Sequence, residues 1–319
     1  MTTRESHDMA ALATKSMNRP RAVAAVAPRT SADAAPDQPH HQERERERER
    51  DRDRDRPALP TAWHRVLFEP VLQCWVCGDH DLRRFHELVF DFSPYAEQDP
   101  GLHEYTGQIA WLVRCRGCGF AQPEVLPTLG HYFDRMYDQR WSADWVEQEF
   151  SASYKDLIFA RILEGLQYRR GHRGGRLLDV GAHAGRFMHL AQQHGWTVEG
   201  IELNPRTAAC AARRTGAPVH RVNVHALGDR GVRYDAVTLT DVLEHIPQPV
   251  TVLKAIGQLL DPGGWVAVKV PNGRSQWHKE RVLAAVRPSR RGSLADNLVH
   301  VNHFSPRALA RALAAAGFR

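Results

Sequence analysis

The chain is organised around residues 176–205, which read RLLDVGAHAGRFMHLAQQHGWTVEGIELNP. The apolar run in LLDV predicts a short buried strand, and Gly181 and Gly185 predict a tight turn directly after it. Residues 187–194 carry apolar side chains at helical spacing, and residues 197–203 predict a second strand. The stretch therefore predicts a strand-helix-strand unit whose first turn leaves room for a ligand.

The turn and the second strand also carry two acids at informative positions. Glycines let a ligand approach the backbone at a helix N-terminus, and Glu202, at the end of the second strand, can accept hydrogen bonds from both hydroxyls of a ribose. The spacing Asp179-x-Gly181-x-x-x-Gly185 differs from the G-x-G-x-x-G pattern that holds a pyrophosphate. The negative charge of Asp179 suits a ligand with an ammonium group better than it suits a pyrophosphate. The pattern resembles motif I of the class I S-adenosylmethionine-dependent methyltransferases. Glu202 matches the position of the acid that binds the ribose in that family.

The order of the following segments matches the same family. Residues 219–222 predict a third strand, and Asn223 follows it where many relatives have an acid that reads the adenine amino group. An amide oxygen can accept that hydrogen bond too. Residues 234–247, YDAVTLTDVLEHIP, resemble the family's fourth-strand motif, and DVLEH is its most specific part. A helix at 249–260 and a fifth strand at 265–270 complete the pattern.

The resemblance implies an α/β fold with a Rossmann-like, mostly parallel sheet and flanking helices. Relatives continue after the sequence AGF with two more strands of a seven-stranded sheet, so we expect these last two strands to be missing here. The S-adenosylmethionine site that the resemblance implies consists of Asp179, Gly181, His183, Gly185, Glu202, Leu203, Asn223, Val224, Thr240 and Asp241.

Three histidines are candidate catalytic residues. His245 is the first candidate base for an acceptor that must lose a proton, because the ordinary pKa of histidine lies near neutral pH. His300 and His303 come next. In an alternative arrangement, Asp241-x-x-Glu244-His245 and a later histidine resemble the E-x-x-E-H pattern that binds a divalent ion in some 2′-O and quinone-pathway O-methyltransferases.

Four of the five cysteines form two matching pairs, each followed by glycine: Cys74 with Cys77, and Cys115 with Cys118. Four thiolates brought together in this way give closed tetrahedral zinc coordination, which is the structural type. We therefore expect a small zinc-ribbon-like domain. Because 37 residues separate the pairs, an insertion at 90–107 is expected inside the ribbon, and residues 111–114 are expected to form a ribbon strand.

The composition divides the chain into four regions. Residues 1–58 have few large apolar side chains and include a run of alternating acids and arginines, so we expect a disordered tail. The ribbon is expected at 62–125. A helical linker or lid is expected at 126–170, whose aromatic residues could cover a cofactor or pack between domains. The methyltransferase domain is expected at 171–319.

Charge and hydropathy narrow the class of protein. The net charge of +6 is spread along the chain and indicates only mild affinity for anionic partners. No apolar run approaches the length of a membrane span, and a signal peptide pattern is absent from the first residues, so we expect a cytoplasmic protein without membrane association. The oligomeric state cannot be deduced from the sequence.

The expected function is methyl transfer from S-adenosylmethionine to oxygen, nitrogen or carbon of a small molecule, such as a sugar, a nucleotide-sugar or a natural-product intermediate. Residues 273–299 are expected to form a substrate loop whose arginines would suit an anionic acceptor. Two alternatives remain open: an RNA methyltransferase that uses the ribbon to bind RNA, and a catalytically inactive cofactor-binding protein.

Overall fold

The structure is a computed structural model. It describes residues 9–15, 67–138, 150–151, 154–171, 174–228, 231–286 and 295–319. Within these residues, none of the helices combines the length and the apolar character needed to cross a membrane. Trp141 and Trp145, most of the tail at 1–58 and the arginines at 287, 290 and 291 lie outside the described residues.

The amino-terminal described region consists of short antiparallel strands. Its elements are β1 (Met9–Lys15), β2 (Phe68–Pro70), β3 (Leu82–Val89), β4 (Ile109–Cys115), β5 (Ala121–Pro123) and β6 (Val125–Pro127). Strands β3, β4 and β5 form a three-stranded sheet, and β2 pairs with β6. We call the part formed by residues 67–138 the ribbon module.

The segment between β3 and β4 is folded as an insertion. It holds a 3₁₀ turn (Ser93–Tyr95) and the short helix α1 (Pro100–His103), whose N-terminus is capped by the Asp99 carboxylate. Helix α2 (Tyr132–Asp138) follows β6. Aromatic side chains from these elements form one apolar cluster, which includes Phe68, Phe90, Phe92, Tyr105 and Tyr132.

The second part of the chain alternates strands and helices. Its strands are β7 (Gly175–Val180), β8 (Trp196–Ile201), β9 (Val219–His220), β10 (Tyr234–Thr240) and β11 (Leu260–Pro271). Its helices are α3 (Lys155–Arg170), α4 (Arg186–Gln193), α5 (Pro205–Thr215), α6 (Val224–Gly228), α7 (Pro249–Leu259), α8 (Gly273–Val286) and α9 (Pro306–Ala315), with 3₁₀ turns at Leu243–His245 and Asp296–Leu298.

The central sheet has the strand order β1-β11-β10-β7-β8-β9. Strands β7 to β11 run parallel, and β1 pairs antiparallel with β11 at the edge. The chain proceeds outward from β7 to β9 on one side and from β10 to β11 on the other. In such sheets ligands bind where the strand order reverses, at the carboxyl ends of the strands. This point lies between β7 and β10.

The parallel strands are apolar because helices cover both faces of the sheet. Leu177 and Leu178 are fully buried in β7, although their side chains point to opposite faces. Helix α7 buries Leu253 and Ile256, and Ser305 caps the N-terminus of α9, where its hydroxyl accepts from the backbone N–H of Ala308. The expected α/β fold with a Rossmann-like parallel sheet is confirmed.

Three predictions differ from the structure. Residues 9–15 form a strand rather than part of a disordered tail, and this strand pairs antiparallel with β11 along the edge of the sheet. The segment at 273–299, predicted as a loop, begins with the 14-residue helix α8. The fifth strand, predicted at 265–270, is the longer β11, which begins at Leu260 and shifts its register with β10 between Leu260 and Trp265.

Candidate functional site

A cavity of about 690 Å³ opens at the carboxyl edge of the parallel sheet. Nine of the ten predicted cofactor residues line it: Asp179, Gly181, His183, Glu202, Leu203, Asn223, Val224, Thr240 and Asp241. The tenth, Gly185, does not line the cavity and instead precedes the first residue of α4. The residues converge because β7, β8 and β10 end side by side.

Asp179 is the deepest acid in the cavity. It is 1% exposed, and its Oδ1 accepts a 2.8 Å hydrogen bond from Thr238 Oγ1 on the neighbouring strand β10. Burial, and secondarily the Glu202 carboxylate, raise the pKa of Asp179 to about 7, although the Thr238 hydrogen bond acts in the opposite direction. A cation placed beside Asp179 would favour its ionised form.

Glu202 joins the turn after β7 to the end of β8. Its Oε2 accepts a 2.9 Å hydrogen bond from the backbone N–H of His183, and its Oε1 accepts one of 2.9 Å from that of Asn204. Burial raises the pKa of Glu202, and the hydrogen bonds oppose the shift. These hydrogen bonds fix the Glu202 carboxylate at the wall of the cavity.

Gly181 and Gly185 are needed for different steric reasons. Both have positive φ, 75° and 87°, a region that favours glycine. A Cβ at position 181 would collide with Val242 Cγ2, and one at position 185 would lie 2.9 Å from Ala211 Cα. The first glycine therefore brings β7 close to the loop after β10, and the second lets α4 pack on α5.

The three predicted histidines separate into two places. His245 and His300 line the cavity, and their rings lie 4.7 Å apart at 74°. His303 does not line it. It is buried: its backbone pairs with Ala121 of the ribbon module, and its ring lies 5.0 Å from that of Trp277 in α8. Burial lowers the pKa of His303 to about 3. The sequence-based assignment of His303 to the catalytic group is therefore not supported by its position.

Two acids, Asp241 and Glu244, belong to the same segment as His245. Asp241 forms an ion pair with Lys269 through both carboxylate oxygens. Glu244 is 1% exposed, and its Oε2 makes no hydrogen bond in the described structure. One ligand atom each from Glu244, His245 and His300 lie within 4.8 Å of one another. Burial and the nearby Asp241 carboxylate raise the pKa of Glu244 well above its usual range.

The four paired cysteines meet in the ribbon module. Cys74 Sγ lies 3.5 Å from Cys118 Sγ, Cys77 Sγ lies 3.5 Å from Cys115 Sγ, and the four sulfur atoms are all within 4.8 Å of one another. Tetrahedral zinc with bonds of about 2.3 Å needs sulfur atoms about 3.8 Å apart. The donor set and its spacing therefore fit a closed zinc site.

Sequence reasoning missed part of the cavity wall and one internal partner. The missed lining residues include Lys155, Arg186, Val242, Gln248, Thr251 and Val299. Among the aromatic residues of 126–170, Tyr137 and Phe159 line the cavity, whereas Tyr154 is 64% exposed. The missed internal partner, Thr238, had a signal: it is the one polar residue in the buried stretch 236–239 of β10.

The chain is similar to known proteins over part of its length. It is 37% identical over 101 residues to the ubiquinone biosynthesis O-methyltransferase of Paracidovorax citrulli, covering 30% of this chain and 42% of that protein. It is 34% identical over 150 residues to the enzyme of the same name from Nitrosococcus oceani, covering 44% and 62%. The chain thus spans about half the length of the curated relatives that it matches.

The chain is also similar to a solved structure, the S-adenosylmethionine-bound amino pentose methyltransferase of Micromonospora echinaspora. The two are 26% identical, the match covers 40% of this chain and 56% of that one, and the TM-score is 0.34. Residues 151–319 match the family described as a methyltransferase domain. Because this match covers more than half of the chain and includes every parallel strand of the sheet, the chain belongs to the methyltransferase domain family.

Proposed function

We propose that this chain transfers a methyl group from S-adenosylmethionine to a small-molecule acceptor. The observation that carries the proposal is the position of Asp179 and Glu202, which end adjacent parallel strands inside one cavity of about 690 Å³. This volume lies in the range typical of small-molecule sites, roughly 300–1,000 Å³. Asp179, deep in the cavity, suits the ammonium group of such a cofactor. Glu202, beside the turn, suits its ribose.

The residues of the cavity would divide the cofactor among them. Glu202 would accept the ribose hydroxyls, because two backbone N–H groups already fix its carboxylate. Asp179 would face the ammonium group. Asn223 and Val224, which follow β9, would contact the adenine through an amide and an apolar side chain. When bound, S-adenosylmethionine would supply an electrophilic methyl group.

His245 would act on the acceptor. The acceptor oxygen would bond to the methyl carbon as the carbon–sulfur bond breaks, and the hydroxyl proton would pass to the imidazole of His245. Alignment of the acceptor with the methyl group supplies much of the acceleration in such displacements, and a positioned base typically adds about 10²–10⁴-fold. We favour an oxygen acceptor because the curated relatives are O-methyltransferases.

A divalent ion would be an alternative to the His245 base, because an imidazole nitrogen that coordinates an ion cannot also take the proton of the acceptor. Glu244, His245 and His300 would be its ligands, and the hydrogen-bonding capacity of the buried Glu244 Oε2 remains unused in the described structure. One carboxylate and two imidazoles form a donor set found at divalent metal sites. A bound ion would lower the pKa of an acceptor hydroxyl. Dialysis against a chelator, followed by addition of Mg²⁺ or Mn²⁺, should restore activity if this ion is present.

The four cysteines would hold a structural zinc ion. Their closed arrangement leaves no position for a reacting water. Cys74, Cys115 and Cys118 pack within the same apolar cluster as residues of β10 and α7, so the ion would also stabilise the methyltransferase domain.

RNA is a weaker acceptor candidate. Two arginines of the ribbon module are paired with acids: Arg83 pairs with Asp81 at 2.9 Å, and Arg84 pairs with Glu124 at 2.6 Å. These pairs reduce the positive charge available to a phosphate backbone. The small-molecule proposal is therefore the better supported of the two.

Transfer of radioactive methyl groups tests the proposal. S-adenosylmethionine labelled in its methyl group is incubated with three probes: 3,4-dihydroxybenzoate, a thymidine-diphosphate amino sugar and an unmodified tRNA transcript. We expect label in one of the two small molecules and not in the tRNA. Label in the tRNA would favour the RNA hypothesis, and calorimetric binding of S-adenosylhomocysteine without any transfer would favour the inactive cofactor-binding protein.

A further inference from the structure

Tyr137 reaches the cavity from helix α2 of the ribbon module, outside residues 151–319. Its hydroxyl oxygen lies 2.6 Å from His245 Nδ1, and its hydroxyl group donates a 2.8 Å hydrogen bond to the backbone carbonyl oxygen of Val299. His245 Nδ1 lies 2.7 Å from the same carbonyl oxygen. The three groups form a closed triangle.

The triangle has chemical consequences for the imidazole. A carbonyl oxygen only accepts hydrogen bonds, so the hydrogen between it and His245 must belong to Nδ1. The Tyr137 hydroxyl uses its own hydrogen on the Val299 carbonyl, so its lone pair faces the Nδ1–H group. A neutral imidazole that carries its proton on Nδ1 has its basic lone pair on Nε2.

We propose that Tyr137 is a positioning residue: with the Val299 carbonyl it holds His245 in the Nδ1–H form, so that Nε2 takes the proton of the acceptor. This inference rests on the proposed function and deepens it, because it names the residue that makes His245 a base.

Packing fixes the plane of the imidazole as well. The Tyr137 ring meets the His245 ring edge-on at 84°, with 5.4 Å between the centroids, and the His300 ring meets it at 74°. Such edge-to-face pairs restrict rotation of each ring. The hydrogen bonds therefore select the protonated nitrogen, and the neighbouring rings limit the direction in which Nε2 points.

The Val299 carbonyl is itself held in place by the ribbon module. The Asn297 side chain accepts from the backbone N–H of Asp91 and donates to its carbonyl oxygen, both at 2.8 Å. The Tyr132 hydroxyl donates to the Asn297 carbonyl at 2.9 Å. Leu298 has a φ of 56°, which is rare for leucine and persists only where the surroundings hold it. The carbonyl is thus a fixed acceptor.

Replacement of Tyr137 by phenylalanine tests the inference. Phenylalanine keeps the ring and removes the oxygen that faces Nδ1 and the donor to Val299. Tyr132→Phe is the matched control, because it removes a hydroxyl on the same helix that donates to a carbonyl of the same segment but does not face His245.

The readout is nitrogen NMR of protein labelled with ¹⁵N-histidine, with the His245 signals assigned by their loss in His245→Gln. We expect Nδ1 to be the protonated nitrogen of neutral His245 in the wild type and in Tyr132→Phe. In Tyr137→Phe we expect the Nε2–H form to gain population. A wild-type proton on Nε2, or an unchanged spectrum in Tyr137→Phe, would overturn the inference.

Calorimetry and kinetics on the same samples separate this inference from the proposed function. We expect the Kd for S-adenosylhomocysteine to stay within about twofold in Tyr137→Phe. We expect kcat to fall about tenfold, measured with 3,4-dihydroxybenzoate or with whichever of the three probes the wild type methylates. Absence of nucleoside binding in every variant would contradict the proposed function, while the NMR spectra independently decide the role of Tyr137. An unchanged kcat in Tyr137→Phe would contradict the positioning role.

Discussion

Thr238 Oγ1 donates a 2.8 Å hydrogen bond to Asp179 Oδ1 and thereby links β10 to β7 at the base of the cavity. The bond stabilises the ionised carboxylate, but burial has the larger effect and raises the pKa of Asp179 to about 7. The acid therefore changes its charge near neutral pH, and a ligand with an ammonium group should bind its ionised form.

Cofactor affinity should accordingly fall as the pH decreases. If S-adenosylhomocysteine binds only when Asp179 is ionised, the competent fraction drops from about three quarters at pH 7.5 to about one tenth at pH 6, so the apparent Kd should rise roughly eightfold. Binding at pH 6 should also release a proton, which calorimetry in buffers of different ionisation enthalpy detects. In Asp179→Asn the pH dependence should disappear. An equally steep dependence in that variant would assign it to another group.

Asp179 should also make the free energy of unfolding depend on pH, in a direction that its pKa shift determines. Because the folded-state pKa of Asp179 lies above its unfolded value, its contribution to stability is fully present below the unfolded pKa of about 4 and is lost as pH rises through about 7. Ligand-free Asp179→Asn should therefore melt at a higher temperature than the wild type at pH 8, and close to it at pH 5. A variant that melts below the wild type at pH 8 would show that the carboxylate stabilises the fold.

Glu202 should be required for binding of the ribose. Glu202→Gln removes the negative charge while keeping the size of the side chain, and hydrogen bonds to charged groups contribute about 1.5–3 kcal/mol. We expect the Kd for S-adenosylhomocysteine to rise roughly 10- to 100-fold by calorimetry. Glu199→Gln is the control, because Glu199 belongs to β8, which ends directly before Glu202, but bonds His220 and Tyr234 instead of lining the cavity. Equal losses in both variants would indicate general damage to β8.

The sequence predicted local features of this protein better than distant ones. The β7-α4-β8 unit was predictable because a short strand, a glycine turn and an amphipathic helix follow one another within 30 residues. The position of His303 was not, because its burial depends on pairing with Ala121, far away in the sequence. The contact of Tyr137 with His245 likewise joins residues 108 positions apart. Helix α8 was missed because the segment was assigned by comparison with the expected family pattern.

Gly181 should be intolerant of a side chain. Gly181→Ala strains a backbone with a φ of 75° and drives a methyl group into Val242. Gly195→Ala is a matched control, since Gly195 has a similar φ of 84° and open space around its Cβ position. We expect about 1–3 kcal/mol of destabilisation for Gly195→Ala from backbone strain, and an additional ~1–3 kcal/mol for Gly181→Ala from overpacking. Denaturant unfolding measures both, and equal losses would mean that the loop after β10 moves aside.

Removal of one thiol should release the proposed zinc ion and weaken the rest of the chain. We expect about one zinc per chain in the wild type by elemental analysis, and none in Cys118→Ser, because three remaining thiolates no longer close the tetrahedron. Cys210→Ser is the control, since Cys210 lies in α5 and is not part of the four-cysteine group. It should retain the metal.

Because Cys118 packs in the same apolar cluster as Leu239 and Leu253, loss of the metal should lower the melting temperature of the entire unit, and with it the affinity for S-adenosylhomocysteine near that temperature. Full zinc occupancy in Cys118→Ser, or unchanged melting of a variant that has lost its metal, would contradict a structural role for the four cysteines.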